Sequence, residues 1–366
     1  MNSFRPVQRD MELVSPPPDS VSKISFSPTQ DILAVASWDK NVYLYNVNSA
    51  GQSEPKASYA HEAPVLDLSW NKSGSHLFSS GCDNAVYMYD VTTGQKQQVA
   101  GHDAPVKCVE SVEVNGSSIL ITAGWDKALK YWDTRQPQPI NVLQLSDRAY
   151  AMDATDKIAV VGTADRQIHI YDLNNPFQRY RNVESPLKWQ TRVISCFPAA
   201  VGGDGYAVGS IEGRVGIQYA HQVDEKKNFS FKCHRTEIPT GSMGPPAVSG
   251  SQNVFAINTI TFHKIQGTFC TGGGDGSLTF WDGMARTKLK AFSAKELGNG
   301  DPDARPTPQW GVPIVSSSFN HNCEILAYAF SYDWSKGHQG VPPAGSNPTK
   351  IMLHSVKLDE VSKKKK

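Results

Sequence analysis

Residues 119–132 read ILITAGWDKALKYW. An apolar run leads to two small residues. A tight turn carrying an aspartate follows, then a second apolar run that ends on aromatics. The pattern is strand, turn, strand. It recurs as LAVASWDKNVYLY (33–45) and LFSSGCDNAVYMY (77–89) before this stretch, and as IAVVGTADRQIHIY (158–171), YAVGSIEGRVGIQY (206–219), FCTGGGDGSLTFW (269–281) and LAYAFSYDWSKGH (326–338) after it. Seven copies of one supersecondary unit fill the chain. A unit of this kind cannot bury its own faces, so the copies must stack.

The acidic turn residues are Asp39, Asp83, Asp126, Asp165, Glu212, Asp275 and Asp333, with gaps of 44, 43, 39, 47, 63 and 58. The first three gaps match the roughly 40–45-residue period of a WD-type propeller blade. The reading is therefore all-β, a seven-bladed WD-repeat β-propeller. A single propeller is expected over residues 10–357, after a flexible N-terminus at 1–9 and before a basic tail at 358–366. The long gaps require insertions, placed at about 236–253, 294–312 and 335–349 on their Gly, Pro, Ser and Thr content. A ring needs a closure, and residues 10–15 suit an N-terminal strand lent to the last blade.

Net charge is +1, so any basic site is local. Six scattered cysteines without a C-x-x-C pair read as reduced core thiols. No secretory-type N-terminus or long apolar run is present, and the chain reads as soluble, intracellular and without a membrane partner.

A turn carboxylate has a structural use: it accepts backbone N–H bonds of the tight turn. In blade three His102, Asp126 and Trp132 are expected to form a buried hydrogen-bonded chain. The blade-two set is read as His61, Asp83 and Tyr89. A constellation repeated from blade to blade is scaffold. No P-loop, dinucleotide fingerprint, H-E-x-x-H or metal-ligand spacing accompanies it, so no enzyme activity, cofactor or metal is expected.

The residues just before the turn acids lie on one face of the ring. Trp38 and Trp125 stand there, followed after the acids by Lys40 and Lys127. Aromatics on a rigid face are the usual anchors of a binding hot spot, and the adjacent lysines favour an acidic partner segment with apolar anchors. A second cluster lies later. Phe231 alternates with Lys232, Arg235 follows, and Arg286, Lys288 and Lys290 are expected on one face of the next blade's outer strand. Arg214 is near them in the repeat order. Charge with stacking platforms suits single-stranded nucleic acid.

WQTRV (189–193), GSIEGRVGIQY (209–219), FSFKCHR (229–235), FWDGMARTKLK (280–290) and SYDWSKGH (331–338) together resemble the messenger-RNA export propellers of the nuclear pore. The resemblance covers essentially the whole chain. It implies a non-enzymatic adaptor in the nucleus and at the nuclear pore complex, shuttling to the cytoplasm. It also implies binding of the GLEBS segment of an FG nucleoporin on the face, with single-stranded RNA or ribonucleoprotein at a basic side groove. It places Trp38, Trp125, Arg192 and Arg214 on the segment-binding face. Phe231, Trp281, Arg286 and Lys288 fall on the nucleic-acid side. The alternative is the related spindle-assembly-checkpoint propeller, which binds GLEBS-like segments of checkpoint kinases; it would make mitotic checkpoint proteins the partners. QGVPPAGSNP (339–348) departs from the family's pattern, as do the loops at 236–253 and 294–312.

Overall fold

The computed structural model describes residues 10–114, 116–238, 251–297, 312–341 and 349–363. They form seven four-stranded antiparallel sheets and one two-stranded ribbon. The sheets are the blades of a β-propeller. Blade one runs Val21–Phe26, Ile32–Ser37, Asn41–Val47, Ser53–Ala60, from the centre outward. The innermost strands of successive blades touch around the ring, and Val21–Phe26 meets Ile314–Phe319 of blade seven to close it.

Closure uses the N-terminus, as the sequence suggests. Met11–Glu12 is the outermost strand of blade seven, with Met11 opposite Leu353 and Glu12 opposite Met352. Blade seven is thus made from both ends of the chain.

The second strands are covered on both faces. Ile32–Ser37, Ile158–Thr163, Gly205–Ser210 and Ile325–Phe330 are buried at every position. That is why they read as apolar runs rather than alternating patterns. The core is divided into seven clusters, one per seam. Ile121, Leu129 and Tyr131 of blade three meet Met152, Val161 and Tyr171 of blade four. Val35 and Tyr45 of blade one meet Ile325 and Leu353 of blade seven. Each large side chain buried here contributes roughly 1.5–3 kcal/mol.

All seven innermost strands carry an irregularity at the same place. The register shifts between Val106 and Cys108 in blade three, and likewise between Ala149/Ala151, Thr191/Val193 and Ile257/Thr259. The same shift appears in the other three. A bulge re-aims a side chain. Here the extra residues, including Lys107, Tyr150, Arg192 and Asn258, line the central channel, a cavity of about 490 Å³.

Two expectations change. The 236–253 insertion is not loop at its stem: Arg235–Glu237 pairs with Gln252–Val254. The 358–366 stretch, expected as a solvated basic tail, begins as the helical turn Leu358–Val361, with Glu360 and Val361 buried. Blade four has Arg181–Glu184 as its outer strand, paired with Gln167–Asp172. The N-terminus 1–9, residues 239–250, 298–311 and 342–348, and Lys364 to Lys366 lie outside the described residues.

Candidate functional site

The scaffold chain of blade three is complete. The Trp132 indole N–H donates to Thr122 Oγ1 at 2.8 Å. Thr122 Oγ1 lies 2.7 Å from His102 Nε2, and His102 Nδ1 lies 2.9 Å from Asp126. One arrangement gives every proton an acceptor: tryptophan to threonine, threonine to Nε2, Nδ1–H to aspartate. Asp126 also accepts the backbone N–H of Ala128 and Asp103. Burial alone would raise its carboxyl; the hydrogen bond from His102, with these N–H groups, outweighs that and holds it below the usual range. Blade six repeats the chain with His234, Asp275, Thr271 and Trp281.

Blade two differs from expectation in one member. His61 reaches Asp83 at 2.9 Å and Ser79 at 2.8 Å, but the hydroxyl on Ser79 is that of Tyr59. Tyr89 only stacks on the Tyr59 ring at 4.6 Å. Blade four swaps the roles: Ser146 takes the histidine's place and bonds Asp165, while His169 sits on the third strand. Burial pushes the His169 imidazole down to about 4.

All the turn acids lie at one end of the ring, with the loops that enter each blade. The residue after the acid has a left-handed backbone in every blade. Asn84, Gly213 and Gly276 suit that conformation, but Lys40 (φ 76°), Lys127 (φ 63°), Arg166 (φ 65°) and Trp334 (φ 58°) do not. A left-handed non-glycine residue costs roughly 1–2 kcal/mol, and such strain collects at functional positions. Three cations and an indole are thereby held out on one face.

Trp38 is half-buried because Trp334 of the neighbouring blade stacks on it, with centroids 4.4 Å apart at 26°. Tyr332 tilts against Trp334 at 5.5 Å. Trp125 is exposed at 37%. Arg192 crosses the channel mouth. Its Nη2 donates to Asn258 Oδ1 of blade six at 3.1 Å and to the Asp333 carbonyl of blade seven at 3.2 Å. Burial pushes this guanidinium below its ordinary value, and Asp333 offsets that only in part. Arg214 stands 3.8 Å from Glu212, and Lys127 pairs with Asp147 at 3.0 Å. The face is thus aromatic and cationic around the channel opening.

The side cluster comes together only in part. Phe231 lies 4.7 Å from Trp281, and the Arg286 guanidinium covers the Phe229 ring at 4.3 Å. Lys288 pairs with Trp281 and shares its side of the sheet, which faces blade five. Lys290 does not join them. A bulge at Leu289 sets Lys290 opposite Phe280, which packs toward blade seven, and its ammonium lies 5.3 Å from the Phe292 ring. The single face expected for Arg286, Lys288 and Lys290 is therefore split, because one extra residue reverses the alternation.

Lys232 pairs with Arg214 on the side of its sheet that faces blade four, away from Phe231. Arg235 is tied down: it donates to the Glu212 carbonyl at 2.7 Å and the Gly213 carbonyl at 3.2 Å. Trp281 spends its N–H on Thr271 and offers only its half-buried ring. What remains at the seam of blades five and six is two half-buried phenylalanines, one indole face, Arg286 and Lys288.

The sequence reading missed Trp334 and Trp189 on the face, and it placed Ile211 there without taking it as an anchor. Trp334 follows its aspartate where the other tryptophans precede theirs. Trp189 sits outside the strand–turn–strand repeat. Among the described residues, no cluster of three or more His, Cys, Asp or Glu side chains has the geometry to hold a metal ion. All six cysteines are unpaired.

Comparison with known proteins agrees with this architecture. Residues 94–133 match the family model described as WD domain, G-beta repeat, and residues 24–113 the one described as Anaphase-promoting complex subunit 4 WD40 domain. The chain is 43% identical over 358 residues to the mRNA export factor GLE2 of Chaetomium thermophilum, covering 97% of this chain and 92% of that one. It is 41% identical over 366 residues to the Poly(A)+ RNA export protein of Schizosaccharomyces pombe, covering 100% and 96%. It is 43% identical over 339 residues to the protein Rae1 of Drosophila melanogaster, covering 92% and 91%.

Proposed function

This chain belongs to the WD-repeat family of messenger-RNA export factors, and on that premise we propose that it is a non-enzymatic adaptor in the nuclear export of messenger RNA. It docks the GLEBS segment of an FG nucleoporin across the face that carries the turn acids. It works in the nucleus and at the nuclear pore, and shuttles to the cytoplasm. Single-stranded RNA, free or in ribonucleoprotein, contacts the seam of blades five and six.

The observation that supports this reading is that the Trp38–Trp334 stack, the exposed Trp125 and Arg192 belong to the one face that carries the turn acids, with Lys40 and Lys127 held in strained turns next to those acids. An acidic segment with apolar side chains complements both features. Calorimetric titration with a GLEBS peptide tests it. The Trp38→Ala/Trp125→Ala double variant is expected to bind at least about 30-fold more weakly than wild type. Unchanged binding would remove this face from the proposal.

The RNA contact has its own test, set by the bulge at Leu289. Lys288→Ala should weaken binding of single-stranded RNA and flatten its log–log salt slope by about 0.7, the effect of one lost phosphate contact. Lys290→Ala should leave the slope near that of wild type, because Lys290 faces blade seven. Equal effects of the two variants in a salt-dependent binding assay would argue against the seam.

A further inference from the structure

Trp189 is 61% exposed, on the loop that enters blade five. Its ring belongs to none of the seven seam clusters. The loop beneath it is nevertheless tightly tied. Arg166 Nη1 donates to the carbonyls of Leu187 (3.4 Å) and Lys188 (3.2 Å). The Lys188 N–H donates to Glu212 Oε1 at 2.9 Å, and the Ile211 N–H donates to the Gln190 carbonyl at 3.1 Å. These bonds fasten the loop on both sides of Trp189 to the turns of blades four and five. They also fasten Ile211, itself 39% exposed, to the residue that follows Trp189. A fixed backbone that presents a large apolar ring to water is preorganised for a contact, since little further ordering is needed on binding.

Cations outnumber carboxylates around this pair. Lys188 and Arg148 are exposed, and Arg192 follows Trp189 by three residues at the channel mouth. The nearby acids are each matched by a further cation, Glu212 by Arg214 at 3.8 Å and Glu184 by Arg166 at 2.6 Å. An acidic occupant is therefore favoured over a basic one.

We propose that Trp189, with Ile211, is a further anchor site on the blade-four-to-five side of the face, taking a large apolar side chain of the acidic segment that crosses the channel mouth. The inference rests on the reading of the preceding subsection and adds a contact site on the far side of the channel from the Trp38–Trp334 stack. The segment then spans the opening and is held at both rims.

The test is calorimetric titration of the full chain with the GLEBS peptide, alongside thermal denaturation of each variant. Trp189→Ala should weaken binding about tenfold or more, Trp189→Phe should keep most of the affinity, and neither should move the thermal midpoint. If Trp189→Ala binds within about twofold of wild type while Trp38→Ala/Trp125→Ala loses binding, the anchor is wrong and the face stands. If wild type itself does not bind the peptide, the face reading fails and this inference with it.

Discussion

Asp126→Ala is expected to lower the thermal midpoint by about 6 °C. The aspartate ends a buried chain through His102, Thr122 and Trp132 and accepts two backbone N–H groups. Its removal leaves the buried His102 Nδ1 without an acceptor and strips the same acceptor from the part-buried Ala128 N–H and the exposed Asp103 N–H. A buried donor left so costs about 1–3 kcal/mol, and with the part-buried N–H added the total is near 3 kcal/mol. At about 2 °C per kcal/mol for a chain of this size, the shift follows. Asp126→Asn keeps one acceptor oxygen and should lose less. Asp165→Ala in blade four should also lose less, since its partners are the hydroxyls of Thr163 and Ser146 and no histidine. A scan in which Asp126→Ala melts with wild type would show that the chain contributes nothing net.

Raising the pH should loosen the ring at its closure. His354 sits between the two ends of the chain: Nδ1 is 2.8 Å from Asp10 and Nε2 is 2.9 Å from Glu360. Only the doubly protonated ring donates to both carboxylates. Burial lowers the imidazole, but the two bonds and charges outweigh it and raise it to about 9, against 6.5 in the unfolded chain. A folded-state value above the unfolded one means stability that is fully present below about pH 6.5 and lost as pH rises through about 9. The shift corresponds to about 3 kcal/mol. Urea midpoints measured across that window should fall for wild type and stay flatter for His354→Gln, which starts lower. Parallel curves for the two proteins would exclude His354 as the titrating group.

The clasp explains why the 358–366 stretch is not simply a tail. Glu360 is buried because it completes the pair with His354 and accepts the Lys357 N–H. Nothing local in LDEV announces this. The partner is a histidine in the last strand and, through it, an aspartate at the other end of the chain.

The same contrast runs through the site. Trp125 and its aspartate were legible because every blade repeats the turn and only two repeats carry tryptophan before the acid. Trp334 was not, because its stacking on Trp38 joins residues that only ring closure brings together. Lys288 and Lys290 looked equivalent, since strict alternation places residues two apart on one face. The bulge that separates them arises from packing against two different blades.

The sequence by itself determined the repeat, its seven copies and the acids that hold the turns. These depend on local periodicity and turn chemistry, which any stretch of about 40 residues contains. Only the tertiary structure decided which cations and rings share a surface. That depends on the bulge in each inner strand, which aims Arg192 into the channel mouth, and on the seams between blades. Those features come from side chains far apart in the chain competing for one buried space, which no local pattern encodes.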